Sequence, residues 1–185
     1  MERLALLDPA EAVVALVDIQ QNHFHTTFDS GPTLDRTVRF LGATRLLEVP
    51  VVWTEHHPRA FGPTLPPVAE ALAGLAPIPK VCFGCFGEPA FARAVDAAGR
   101  GVLYLAGSET HICIGQTALG ALSRGMGVVV VADCVNARHR PDHDVALRRL
   151  EAAGAVVATW EAVVYEWMRD ARHPRFRQVL ALVKG

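Results

Sequence analysis

Lysine is nearly absent from this chain. Among 185 residues there are two, Lys80 and Lys184, and arginine supplies the rest of the positive charge. No Lys/Arg run occurs and the formal net charge is -1, which removes the electrostatic case for nucleic acid as a partner. No stretch reaches about 18 uninterrupted apolar residues, so no membrane-spanning helix is expected. The first residues, MERLALLDPAEAVV, carry Glu2 and Pro9 and lack a basic segment followed by an apolar core, so no secretory signal is expected. Cysteine is limited to four residues, which reads as reduced thiols in a cytoplasmic compartment rather than a disulfide framework. Patterns of the G-x-S-x-G, H-E-x-x-H and P-loop kinds are missing. Gly125-Met126-Gly127 precedes an apolar run instead of following one, the wrong order for a dinucleotide fingerprint. No cofactor is expected.

What is present is a core. Hydrophobic residues make up 51% of the chain, enough for one substantial domain over residues 1–185 that buries roughly 70% of its unfolded surface. Short apolar runs at 13–17, 50–54, 101–106, 128–132 and 155–159 read as buried strands, the first ended by Asp18 and the fourth by Asp133. Residues 76–84 contain Pro77 and Pro79 and read as an edge strand that delivers Lys80. Helical spacing follows at 32–48, 67–72, 88–98, 112–123, 142–153, 161–168 and 175–183, whereas the Pro/Gly/His-rich stretch 56–63 reads as an irregular loop. Strand and helix alternate about six times, the pattern of a single doubly wound α/β domain with a parallel sheet. The apolar carboxyl-terminal segment with Trp167, Phe176 and Leu180 is available to its own sheet or to another subunit.

The stretch GVLYLAGSETHICIGQT, residues 101–117, organises the rest. A thiol at Cys113 falls after a strand and at the expected start of a helix, with Ser108 or Thr110 as its cap. Ligand crevices of open α/β sheets lie at the carboxyl ends of strands, and a helix amino terminus favours thiolate. Cys113 is thus the nucleophile candidate, with a packed core cysteine as the alternative. A nearby ammonium would lower the thiol pKa, and a carboxylate could take its proton and pass it to a leaving amine. Lys80 and Asp18 fall at the same edge of the sheet and could fill those roles. Cys82 and Cys85 have C-x-x-C spacing without a second pair, so Cys82 is expected in the core and Cys85 at the pocket.

Taken in order, AVVALVDIQQNHF, VVWTEHHPRAFGPTLP, PKVCFGCF, LYLAGSETHICIGQTALGAL and VVVVADCVNAR resemble the isochorismatase-like cysteine hydrolase superfamily. The ending WMRDARHPRFRQVLALVK resembles its isochorismatase domain-containing branch. The resemblance implies a six-stranded parallel sheet with helices on both faces and a triad of Asp18, Lys80 and Cys113. It implies attack of Cys113 on an amide or related carbonyl, a thioester intermediate, and a non-proline cis peptide at Ser108-Glu109. The amides of Glu109 and Cys113 would be the oxyanion donors. It also implies a homo-oligomer. Nicotinamidases of this superfamily place an Asp and two His after the second strand to bind a metal. Here the stretch is Thr54-Glu55-His56-His57-Pro58, whose adjacent side chains diverge, so no metal is expected. A small, partly apolar substrate would then meet Phe24, Trp53, Phe83, Cys85 and Phe86, with Phe61 nearby. The rival reading of the fold is a non-catalytic or redox-responsive protein for ligand binding or assembly.

Overall fold

Six parallel strands in the order β3-β2-β1-β4-β5-β6 carry the molecule, whose computed structural model describes residues 6–185. β1 (Ala12–Val17) is entirely buried and pairs with β2 (Val51–His56) on one side and β4 (Val102–Ser108) on the other. β3 (Ile78–Lys80) is one edge, and β5 (Gly127–Asn136) leads to β6 (Val156–Ala158) at the other. Successive residues of a strand point to opposite faces, and β1 shows it. Val14 and Leu16 join one core with Phe40, Tyr104, Val163 and Trp167, while Val13, Ala15 and Val17 join a second with Phe91, Leu105, Ile114 and Ala118.

Helices cover both faces. α1 (Ser30–Leu46), α3 (Pro66–Ala71), α7 (Trp160–Met168) and α8 (Phe176–Lys184) supply residues to the first core. α4 (Pro89–Ala98), α5 (Gly115–Ser123) and α6 (Arg140–Ala152) supply the second. Trp167 is buried, donates its indole N–H to the Tyr104 hydroxyl at 3.2 Å, and stacks on Phe40. The carboxyl-terminal segment therefore packs on its own sheet. Among the described residues no helix is long and apolar enough to cross a membrane.

Three local readings are corrected. Residues 58–61 form one helical turn, α2 (Pro58–Phe61), because Pro58 occupies its first position, where a missing N–H costs nothing. β5 continues beyond Asp133: pairing with β4 lapses after Leu105–Val130 and resumes at Gly107–Val135, so residues 131–134 bulge opposite Ala106. A turn of π-helix (Thr110–Ile114) precedes α5, and neither expected cap hydroxyl serves there. Ser108 donates to Asn136 Oδ1 at 2.6 Å and Thr110 to the Asn136 carbonyl at 2.8 Å.

Candidate active site

The strand order reverses between β1 and β4, and an open α/β sheet has its crevice at that point. Asp18 leaves β1 with φ 53°, a left-handed conformation that Asp tolerates better than most residues. Its Oδ1 accepts from the Thr54 hydroxyl at 2.7 Å, and its Oδ2 accepts from Lys80 Nζ at 2.5 Å. Lys80 reaches this point because β3 pairs with β2 in a register that sets it opposite His56. The ammonium also donates to the Cys82 and Phe83 carbonyls, at 3.2 and 3.3 Å, and stands 3.7 Å from Cys113 Sγ. The Asp18 and Lys80 side chains are 5% and 0% exposed, so this is a buried ion pair touching a buried thiol.

The electrostatics of the thiol differ from the expected lowering. Burial pushes the Cys113 pKa up, the Asp18 carboxylate adds to the rise, and Lys80 opposes it without prevailing. Cys113 is thus a neutral thiol at rest, with its pKa raised beside the Asp18 carboxylate. Burial would depress the Lys80 ammonium, yet the carboxylate of Asp18 outweighs it and the Lys80 pKa is raised. Burial also lifts Cys85 to about 12 and Cys134 well above the usual thiol value. A raised folded-state pKa means that the native chain holds protons the unfolded chain would release. Stability from these groups is therefore present below the ordinary thiol range and lost as pH rises through the native values. Urea midpoints should be level near neutrality and fall in the alkaline range. A midpoint that rises there would contradict the arrangement.

Beside the pair lies a cleft of about 190 Å³ lined by Asp18, Gln20, His23, His56, Phe61, Phe83, Ser108, Glu109, Ile112, Cys113 and Arg138. Of the expected wall, Phe83 and Phe61 are there. Phe24 and Trp53 are not: their rings fall on the face of the first core. Cys85 is fully buried in the second core, with its N–H on the Thr117 hydroxyl at 2.9 Å, and Phe86 packs against Phe91 beneath Arg124. Cys82, not Cys85, is the partly exposed member of that pair.

Gln20 holds the cleft together. Its side chain donates to the His56 and Gly62 carbonyls at 3.1 and 2.7 Å and accepts from the His56 N–H at 2.7 Å. His56 lies between the Phe61 and Phe83 rings, and its pKa is lowered by burial and by Lys80. Glu55 turns away to accept from the Thr64 N–H and hydroxyl, at 2.7 and 2.8 Å. Among the described residues no three His, Cys, Asp or Glu side chains converge as a metal site.

At the opposite wall the Ser108-Glu109 peptide is cis, and the Ile112 and Ile114 N–H groups both donate to the Glu109 carbonyl, at 3.0 and 3.1 Å. The Glu109 carboxylate takes Nε2 of His23 at 2.8 Å and the Arg138 N–H at 3.2 Å, with Nδ1 of His111 at 3.6 Å. Burial would raise its pKa, but His23 and the Arg138 N–H outweigh that and lower it. The sequence carries no signal for Gln20, His23 or Arg138, which lie outside the regular strands and helices, nor for Ile112 in the π-turn, and His56, weighed there only as a metal ligand, instead lines the cleft from the end of β2.

The family model described as Isochorismatase domain matches residues 11–162. The chain belongs to the isochorismatase family. Similar family members include isochorismatase domain-containing protein 2 of Bos taurus, 39% identical over 95% of this chain and 84% of that protein. The Homo sapiens protein of the same name is 36% identical with the same coverage. Among solved structures, YcaC of Pseudomonas aeruginosa, described with hexane-2,5-diol and covalent acrylamide, superposes with a TM-score of 0.91 at 27% identity, over 96% of this chain and 91% of that one. MAR1 ribonuclease of Caenorhabditis elegans gives 0.90 at 29%, over 98% and 93%. The Escherichia coli YcaC gene product, described as an octameric hydrolase of unknown specificity, shares the fold, with a TM-score of 0.88 at 24% identity over 100% and 98%.

Proposed function

We propose that this isochorismatase-family protein is a cysteine-dependent hydrolase that cleaves the C–N bond of a small amide through a thioester. The observation that carries the reading is the contact of the Cys113 thiol with a buried Asp18–Lys80 ion pair at the wall of a small cleft. A resting neutral thiol sets the order of events. Sγ attacks the carbonyl carbon as Asp18 takes its proton, and the Lys80 ammonium offsets charge building on sulfur. The N–H groups of Glu109 and Cys113 receive the oxyanion. Asp18 returns the proton to the leaving nitrogen, the amine departs, and water hydrolyses the thioester.

A redox-responsive role fits less well, since redox cysteines are exposed and of low pKa, whereas Cys113 is 7% exposed with its pKa raised. The cleft volume suits a small molecule and neither a nucleic acid nor a membrane. Homo-oligomer assembly belongs to the same reading, supported by the octameric E. coli relative and by exposed Val81 and Phe83 beside edge strand β3. Four free thiols support a reducing, cytoplasmic compartment.

Covalent chemistry on a P. aeruginosa neighbour makes acrylamide a direct probe. Intact-mass measurement of wild type and Cys113→Ala after brief exposure to acrylamide and to a panel of small amides should show adducts on wild type alone, with ammonia released from some amides. Equal adducts on both proteins, or no adduct and no ammonia across the panel, would remove Cys113 from the reaction.

A further inference from the structure

One buried polar side chain touches the Asp18–Lys80 pair and has no part in the reaction as written. Thr54 stands opposite Val17 in the register of β1 and β2. Alternation puts its side chain on the face opposite Trp53, where the Cys85 sulfur of the second core lies 4.0 Å away. Thr54 holds Asp18 at two points. Its carbonyl accepts the Asp18 N–H at 3.2 Å, and its hydroxyl donates to Asp18 Oδ1 at 2.7 Å. The first contact secures a main chain that leaves β1 at φ 53°. The second fixes the plane of the carboxylate, because Oδ2 is taken by Lys80. The χ2 torsion of Asp has broad, two-fold wells, so one contact alone leaves the carboxylate free to turn. An ionised carboxylate only accepts, so the Thr54 hydrogen points to Oδ1 and its oxygen is left for the neutral Cys85 thiol. Thr54 is 1% exposed and lies outside the cleft lining, so neither water nor substrate competes for this contact.

Resting on the thioester reading, we propose that Thr54 is a positioning residue that sets the Asp18 carboxylate for its exchange of protons with Cys113 and the leaving nitrogen. A single ammonium attracts both carboxylate oxygens, and with Lys80 as the only partner the carboxylate would close onto it. The hydroxyl resists that rotation by holding Oδ1. No bond forms or breaks at Thr54: the thiol still gives its proton to the carboxylate, and the carboxylate still returns it to nitrogen. What the residue supplies is orientation, and misplacing a reacting group by about 1 Å can cost on the order of 10²-fold in rate. Two substitutions separate this role from packing. Valine matches threonine in branching and in preference for a strand but has no donor. Serine keeps the donor and loses the methyl group.

The test uses p-nitrophenyl acetate, which acylates a nucleophilic thiol and reports the event by release of nitrophenol. Thr54→Val should acylate about 10–10²-fold more slowly at saturation, with the half-saturating concentration unchanged, because the residue lies outside the cleft. Thr54→Ser should stay close to the wild-type rate even where its urea midpoint is lower, and Thr54→Ala should be slow as Thr54→Val is. A residue that only packs would rank the variants by stability; a positioning residue ranks them by the hydroxyl. In an Asp18→Asn background Thr54→Val should add no further slowing, since the group it orients no longer takes a proton. A wild-type rate in Thr54→Val or Thr54→Ala, a Thr54→Ser as slow as either, or an undiminished effect in the Asp18→Asn background overturns the assignment while the thioester reading stands. Nitrophenol release by wild type no faster than by Cys113→Ala overturns both.

Discussion

Gly107→Ala should abolish the fold or lower its stability by more than about 4 kcal/mol. A Cβ at this position would fall on the Val17 carbonyl oxygen and within 2.7 Å of the Val17 nitrogen, and the residue has φ 120°. Both obstacles are backbone atoms of the central strand, which cannot rotate aside as a side chain would. Gly99 is the control: it is also left-handed, φ 64°, but nothing lies within 4 Å of its Cβ. Gly99→Ala should therefore cost only the conformational penalty, about 1–2 kcal/mol. Urea unfolding of the two variants against wild type checks this, and comparable midpoints for both would refute it. The effect is large because Gly107 pairs with Val17 at the carboxyl ends of β1 and β4, directly before Ser108-Glu109, so the crevice and the sheet depend on the same missing side chain.

Lys80→Met should destabilise the protein by about 3–5 kcal/mol, since it leaves the Asp18 carboxylate buried without its cation. Asp18→Asn keeps the size of the side chain and can retain the Thr54 contact, yet it cannot take the thiol proton. On the reading proposed here its turnover should fall by about 10²–10⁴-fold. The double variant Lys80→Met/Asp18→Asn removes both charges and should recover part of the stability lost by Lys80→Met alone, with no recovery of turnover. Stability recovery separates the cost of an orphaned charge from the cost of lost packing. A double variant as unstable as the sum of the single ones would show that the two charges do not interact, contrary to their 2.5 Å contact.

These positions were legible to different depths. Asp18, Lys80 and Cys113 could be placed at one edge because Asp18 directly ends an apolar run, Lys80 falls in a short proline-marked edge strand and Cys113 lies at the strand-to-helix turn after another run, and the strand order brings those ends together. The lysine stood out by scarcity. The cleft wall was not legible, because an aromatic residue near a strand end carries no record of its facing. Phe24 and Phe83 flank the site equally in sequence, yet one ring enters the first core and the other the cleft. The continuation of β5 past Asp133 was hidden by a bulge, which breaks the alternation that reveals strands. The direction of the Cys113 shift was missed because helix polarity and a cation were weighed without burial, which proves larger.

The three groups of the proposed triad are held with unequal firmness. Asp18 and Cys113 follow strands paired on both sides and buried throughout, segments whose hydrogen bonds open only when the whole molecule does. Lys80 ends a three-residue strand with one neighbour, followed at once by Val81, which is 75% exposed. Such a margin exchanges its amide protons through small local openings at far lower cost. An opening there would withdraw the ammonium and leave the carboxylate and thiol behind in apolar surroundings, so the pairing of charges in the crevice is only as firm as its edge strand.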